Sequence, residues 1–122
     1  MEATLPKEAK DKLIALIQKI ENEPYAFDFK DPVDYKGLGL TDYPDIVKRP
    51  MDLSTIKHKI EEGKYIVTQE VLDDIQLIWD NCKLYNRSDS EIYKMAESLE
   101  NTTKKAILKL RIEIKKPDDS MF

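Results

Sequence analysis

The sequence predicts an all-α domain: a four-helix bundle with one long ordered loop between its first and second long helices. Three observations carry that prediction. Four stretches place apolar residues three and four apart, the period of one helix face. No stretch alternates apolar and polar residues beside hairpin-type turn residues, so a sheet is not expected. Between the first two helical stretches lies Pro24–Asp52, PYAFDFKDPVDYKGLGLTDYPDIVKRPMD, which holds four of the six prolines, two of the three glycines and five of the ten aromatics.

The first helix starts at Thr4-Leu5-Pro6, a hydroxyl cap candidate followed by a proline near the first helical position. Leu13, Ile17 and Ile20 form its apolar stripe and Leu16 widens it, while Lys10, Lys12, Lys19 and Glu21 keep to other faces. It should end by Glu23, because Pro24 pushes its predecessor out of the helical region.

The loop that follows is too long for an ordinary connection and too apolar for a disordered linker. Tyr25, Phe27, Phe29, Val33, Tyr35, Leu38, Leu40, Tyr43, Ile46, Val47 and Met51 give it an apolar packing surface of its own. Its prolines fix φ and restrict their neighbours. Tyr43 to Lys48, with Pro44 at an early position, can form one or two helical turns.

Asp52 is an N-cap for the second long helix, which carries Ile56 and Ile60 and is closed by Gly63. Thr68 is expected to cap the third. Val71, Ile75, Ile78, Cys82 and Tyr85 give that helix the cleanest period in the chain, flanked by Leu72 and Trp79. The break is Asn86-Arg87-Ser88-Asp89. Ser88 stands at capping-box spacing from Glu91, with Ser90 as a competing cap. The last helix carries Ile92, Ala96, Leu99, Thr103, Ala106, Leu110 and Ile114, with Pro117 and a polar tail ending it.

A chain of 122 residues is read as one domain, able to bury roughly two-thirds of the surface its unfolded form exposes. A net charge of −4 and a pI near 5.1 oppose a direct nucleic-acid footprint and favour basic partners. One cysteine, Cys82, excludes an intrachain disulfide and a multi-cysteine zinc site. With neither an apolar leader nor a membrane-length apolar run, the chain is expected to be soluble and intracellular. The sequons at Asn86 and Asn101 then carry no meaning.

Catalytic and metal chemistry find no constellation. His58 is the only histidine; it is expected on a solvated face beside Lys57 and Lys59, and a di-metal bundle would need two Glu-x-x-His pairs. Cys82 lies on the buried stripe with no second histidine to activate it. Gly37-Leu38-Gly39 is no phosphate loop. The informative residue is Asn86, at the carboxyl end of the most apolar helix. One reading makes it a C-cap; the other makes it a half-buried amide offering both donor and acceptor at the bundle mouth. Tyr43, on the loop that folds over the same end, would be a second polar tip in apolar surroundings.

Several segments then fall into a known order and spacing: Asp31-Pro32-Val33-Asp34, Leu38 to Leu40, Asp42-Tyr43-Pro44-Asp45-Ile46-Val47, Arg49-Pro50-Met51-Asp52-Leu53-Ser54-Thr55-Ile56, and Asn81-Cys82-Lys83-Leu84-Tyr85-Asn86. With these the chain resembles a bromodomain over residues 6–114, leaving 1–5 and 115–122 as polar tails. The resemblance implies a left-handed four-helix bundle that binds acetyl-lysine, without catalysis, metal or cofactor. It implies that Asn86 donates to the acetyl carbonyl and that Tyr43 reaches that carbonyl through a water. It places Val33, Leu38, Leu40 and Tyr85 in the pocket wall and Ile92 at the gatekeeper position. Where many bromodomains carry Trp-Pro-Phe, this chain has Phe27-Asp28-Phe29. Phe29 keeps the floor, while the shelf of Phe27 and Asp28 loses a tryptophan and gains a charge.

The expected partners are acetylated histone tails and other acetylated proteins, bound by a monomeric, nuclear module of a larger regulatory protein, with neither membrane nor direct nucleic-acid contact. Unmodified lysine would be rejected because its ammonium finds no carboxylate in the pocket. The loop carries six acids against four bases, a balance of −2, which suits a basic tail. The alternative is a scaffold of the same fold that binds non-histone or unmodified partners.

Overall fold

A computed structural model describes residues 4–114. Helices α1 (Lys7–Glu21), α3 (Leu53–Glu61), α4 (Thr68–Tyr85) and α5 (Glu91–Lys109) form the bundle. The loop between α1 and α3 contains a single 3₁₀ turn, Phe27–Phe29, and the short helix α2 (Tyr43–Ile46). No strand occurs among the described residues. Helix α5 packs on α4 and α1, α3 packs on α1 and α4, and α2 rests on α4.

The apolar stripes meet in one core. Leu13, Leu16, Ile17 and Ile20 from α1 join Ile56 and Ile60 from α3, Val71, Ile75, Ile78 and Trp79 from α4, and Ala96, Leu99 and Ala106 from α5. The polar faces are cross-linked at the seams. Lys59 pairs with Asp74 at 2.7 Å, and the Tyr65 hydroxyl donates to the same carboxylate at 2.6 Å. Lys83 pairs with Glu100, which also accepts from Gln76 Nε2 at 2.6 Å. His58 is exposed on α3.

Asp52 caps α3 as expected: its carboxylate accepts from the Thr55 N–H at 3.0 Å and the Thr55 hydroxyl at 2.6 Å. At the far end of α3, Gly63 has φ +69°. Lys64 N–H returns to the Lys59 carbonyl at 2.9 Å and Gly63 N–H to that of Ile60 at 3.1 Å, a Schellman closure that needs the left-handed residue.

Three terminal expectations require correction, and one open alternative is resolved. Thr4 does not cap α1: Pro6 is the cap residue, its carbonyl accepting from Lys10 N–H at 2.9 Å, and Thr4 lies a further two residues upstream. Thr68 is the first helical residue of α4, not its cap. The orphan donors there are served from inside the helix, by Glu70 reaching back to the N–H groups of Ile66 (2.7 Å) and Val67 (3.1 Å). Of the two serines before α5, Ser90 is the cap, accepting from Tyr93 N–H at 3.3 Å, and Ser88 is not.

The third correction concerns the end of α5. It stops at Lys109 because Arg111 turns left-handed (φ +57°) and Ile112 N–H closes on the Ile107 carbonyl at 3.0 Å. That turn buries Ile112 beside Ile107, the hydrophobic pairing that accompanies this motif. Ile114, expected on the helix stripe, lies beyond it and is exposed. Pro117 lies outside the described residues.

Candidate functional site

The loop from α1 to α3 is fastened to the bundle at four places. Phe29 is buried with its ring edge-on to Trp79, centroids 5.4 Å apart. Lys30 carbonyl accepts from Ser54 N–H at 2.9 Å, and Arg49 carbonyl from the Asn81 side chain at 2.8 Å. The Tyr85 hydroxyl donates to Asp42 Oδ1 at 2.6 Å. Tyr43 packs edge-on to Tyr85 at 4.9 Å and is stacked by Tyr35 at 5.8 Å. Between these anchors the chain reverses at Gly39 (φ +72°), where Leu40 N–H closes on the Tyr35 carbonyl at 2.8 Å. Asp34 folds onto the Gly37 N–H at 3.0 Å, in space that a Cβ on Gly37 would occupy.

Under the loop lies a cavity of about 360 Å³. The structure brings to it all ten residues singled out from the sequence: Phe27, Asp28, Phe29, Val33, Leu38, Leu40, Tyr43, Tyr85, Asn86 and Ile92. Met51, Ile78, Asn81 and Cys82 line it as well. Ile78, Cys82 and Asn86 stand four residues apart on α4 and its cap, so helical spacing from Asn86 could have found the first two.

Both sequence readings of Asn86 hold together. It is the C-cap of α4, and its side-chain Nδ2 donates back to the Cys82 carbonyl at 3.0 Å. The same Nδ2 also approaches the Cys82 Sγ at 3.6 Å, and the two contacts fix the plane of the amide. The Cys82 thiol donates to Ile92 carbonyl at 3.4 Å and so ties α4 to the start of α5 at the cavity wall.

Comparison with known proteins decides the family, since the Bromodomain family profile matches residues 13–98. The chain belongs to the bromodomain family. A relative, Transcription factor GTE1 of Arabidopsis thaliana, is 42% identical over 84 residues, covering 69% of this chain and 22% of that protein. The bromodomain thus spans about a fifth of the length of that curated relative. The module is a non-catalytic reader.

The inner wall of this bromodomain's cavity is held neutral. Burial, and then the neighbouring Cys82, raise the Tyr43 hydroxyl above its ordinary value. Burial pushes the Cys82 thiol up to about 11, with the Asn86 amide pulling it down and the Asp28 charge pushing it up. A thiol so placed stays protonated near neutral pH and is no nucleophile. The Tyr85 hydroxyl is also raised, first by its bond to Asp42 and then by burial.

Two expectations change here. The loop's apolar residues do not form one packing surface: Phe29, Tyr43 and Val47 are buried, whereas Phe27 is 80% exposed and Leu38 67%. The pocket is also not free of carboxylates. Asp28, Asp31 and Asp34 line it, with no Lys, Arg or His among its lining residues. All three are exposed and stand at the mouth, so the neutral interior expected from the sequence holds only below the rim.

A second concavity, of about 440 Å³, is lined by Pro6, Glu8, Ala9, Lys12, Thr68, Arg111, Ile112 and Glu113. Its cations and carboxylates are balanced, and Lys12 Nζ already donates to Arg111 carbonyl at 3.2 Å. Among the described residues no group of three His, Cys, Asp or Glu side chains could hold a metal ion, and no helix is long and apolar enough to cross a membrane.

Proposed function

We propose that the cavity binds acetylated lysine in histone tails, with Asn86 donating from its side-chain amide to the acetyl carbonyl and Tyr43 reaching the same oxygen through a water. In this reading Phe29 floors the pocket, Val33, Leu38, Leu40 and Tyr85 wall it, and Ile92 stands as gatekeeper. The observation that carries the reading is a cavity of about 360 Å³ with mainly apolar walls, an oriented amide and a neutral phenol, beneath a loop anchored on both sides.

Acetylation removes the lysine charge and leaves an amide ending in a methyl group. The acetylated side chain buries its methylenes and methyl at about 0.8 kcal/mol per CH₂, and its carbonyl meets the Asn86 donor. An ammonium taken below the rim would lose hydration worth several kcal/mol and face a donor with a donor. The rim carboxylates can attract an unmodified lysine but do not accompany it inward. Discrimination therefore rests on depth. Affinity for a single mark in a disordered tail is expected in the micromolar to millimolar range, because the tail loses entropy on binding.

The module is read as residues 6–114, a monomeric part of a larger nuclear protein; the match to a transcription factor supports that setting. The test is titration of acetylated and unmodified histone-tail peptides into the native chain and into Asn86→Ala and Asn86→Asp. Both variants should lose acetyl-dependent binding while remaining folded by circular dichroism. The aspartate is the sharper probe, since it keeps the shape and replaces the donor by an acceptor. Unchanged affinity would overturn the assignment of Asn86. A scaffold reading is favoured by one observation, the three carboxylates at the mouth; equal binding of acetylated and unmodified peptides would establish it.

A further inference from the structure

The 3₁₀ turn Phe27–Phe29 holds two side chains outward for which the fold itself has no use. Its backbone is fixed by Phe29 N–H to Ala26 carbonyl (2.9 Å), and both Ala26 and Phe29 are buried. Phe27, between these anchors, is left 80% exposed, more than any other large apolar residue described. Asp28 beside it makes no hydrogen bond or ion pair with any described residue, and Lys30, two positions on, does not neutralise it. Both line the cavity that holds Asn86. The Asp28 charge is felt as far in as the Cys82 thiol. Asp34, by contrast, is engaged by the Gly37 N–H.

We propose that Phe27 and Asp28 form a cation-selecting subsite, so that this bromodomain binds best an acetyl-lysine with an arginine one or two residues away. The inference rests on the acetyl-lysine reading of the cavity and adds to it a flanking specificity. An aromatic face beside an unpaired carboxylate matches a guanidinium in both of its modes, stacking on the ring and forking onto the carboxylate. Lysine, a compact and strongly hydrated charge, uses the pair less well. Adjacent Cα atoms lie about 3.8 Å apart, so a side chain one or two positions from the buried acetyl-lysine falls over the same rim. The chemistry divides between the two regions: the interior selects a lysine that has lost its charge, and the rim selects a neighbour that has kept one.

The test uses the full chain and NMR titrations read at the Asn86 side-chain amide. The probes are the doubly capped single residue Nε-acetyl-lysine and heptapeptides with a central acetyl-lysine in a Gly/Ser background. Each heptapeptide carries one Arg, Lys, Gln or Glu at one or two positions to either side. At least one Arg position should bind about three- to tenfold tighter than Gln, the scale of an exposed ion pair plus a cation–π contact, and Glu weaker than Gln. Raising salt should shrink the ratio. Asp28→Asn should bring the Arg/Gln ratio below about two and Asp28→Lys should invert it, while Phe27→Ala should narrow the gap between Arg and Lys. Because all three substitutions lie in the cavity lining, each peptide affinity is read relative to that of the capped residue for the same variant. An Arg/Gln ratio near one at every position, or one that Asp28→Asn leaves intact, overturns the subsite while the acetyl-lysine reading stands. Failure of the capped residue and every heptapeptide to shift Asn86 overturns both.

Discussion

The floor of the cavity and its rim come from the same loop and behave as different materials. The floor is made of side chains that also belong to the core. Phe29 is locked against Trp79, Tyr43 is buried against Tyr85, and Ile78 and Cys82 are part of the α4 stripe. The rim is made of Phe27, Asp28, Val33 and Leu38, which are exposed and do not join the core cluster. Residues that hold the fold together can evolve only within the limits of packing, whereas rim residues are free to change partner preference without altering stability.

The contrast can be broken most severely at Trp79. Trp79→Ala should cost about 3–5 kcal/mol in chemical unfolding and weaken ligand binding with it, since Phe29 loses the ring it packs edge-on against. Trp79→Phe should cost about 1 kcal/mol or less: it keeps a ring for Phe29 and deletes an indole N–H that finds no protein acceptor among the described residues, a group whose burial is itself unfavourable. If both substitutions proved equally damaging, the floor would depend on that N–H.

The next effect is at Asp52, where the loop hands over to α3. Asp52→Ala removes the carboxylate that receives the Thr55 N–H and the hydroxyls of Ser54 and Thr55. A loss of about 1–2 kcal/mol is expected, measured by urea unfolding. A drop confined to ligand affinity, with stability unchanged, would mean that Asp52 belongs functionally to the rim.

A smaller effect separates the two regions by pH. Glu100 sits in the α4–α5 seam. Burial pulls its carboxyl upward, but the hydrogen bonds from Lys83 and Gln76 outweigh burial and hold it below the ordinary 4.5. Its stabilisation is therefore present above the unfolded value and lost as pH falls through the folded one. Tm should decline more steeply below pH 4.5 in the native chain than in Glu100→Gln. Parallel declines would show that the seam contributes nothing to acid sensitivity.

The smallest effect sharpens the comparison by its absence. Phe27→Ala and Leu38→Ser should each change stability by no more than about 0.5 kcal/mol, although both residues line the cavity. A larger loss from either would move it from the rim to the floor.

The sequence made most of the bundle legible, because a stripe of Leu13, Leu16, Ile17 and Ile20 can be buried only by a helix that turns them to one side. Asp52 and Gly63 were legible too, since each acts on backbone within a few residues of itself. The termini of α4 and α5 were not. Thr68 and Ser88 have cap chemistry, but whether Thr68 or the back-reaching Glu70 serves the free N–H groups depends on where the chain arrives from the preceding helix. The end of α5 was decided by Ile112 finding room in the core beside Ile107, which forces Arg111 left-handed at a cost that packing offsets.

The cavity divides in the same way. Motif order pointed to ten of the residues that meet there, whereas Cys82 and Ile78, one and two turns before Asn86 on α4, were legible only as core stripe. What only the tertiary structure decided was the sorting of the loop into floor and rim, and with it the three carboxylates at the mouth. Phe27 and Phe29 are the same residue type two positions apart; one is buried and the other is exposed because Trp79, 50 residues further on, fills only one side of their turn. Local sequence determines which residues prefer to leave water. Which of them succeed depends on partners distant in the chain, because burial belongs to pairs of surfaces.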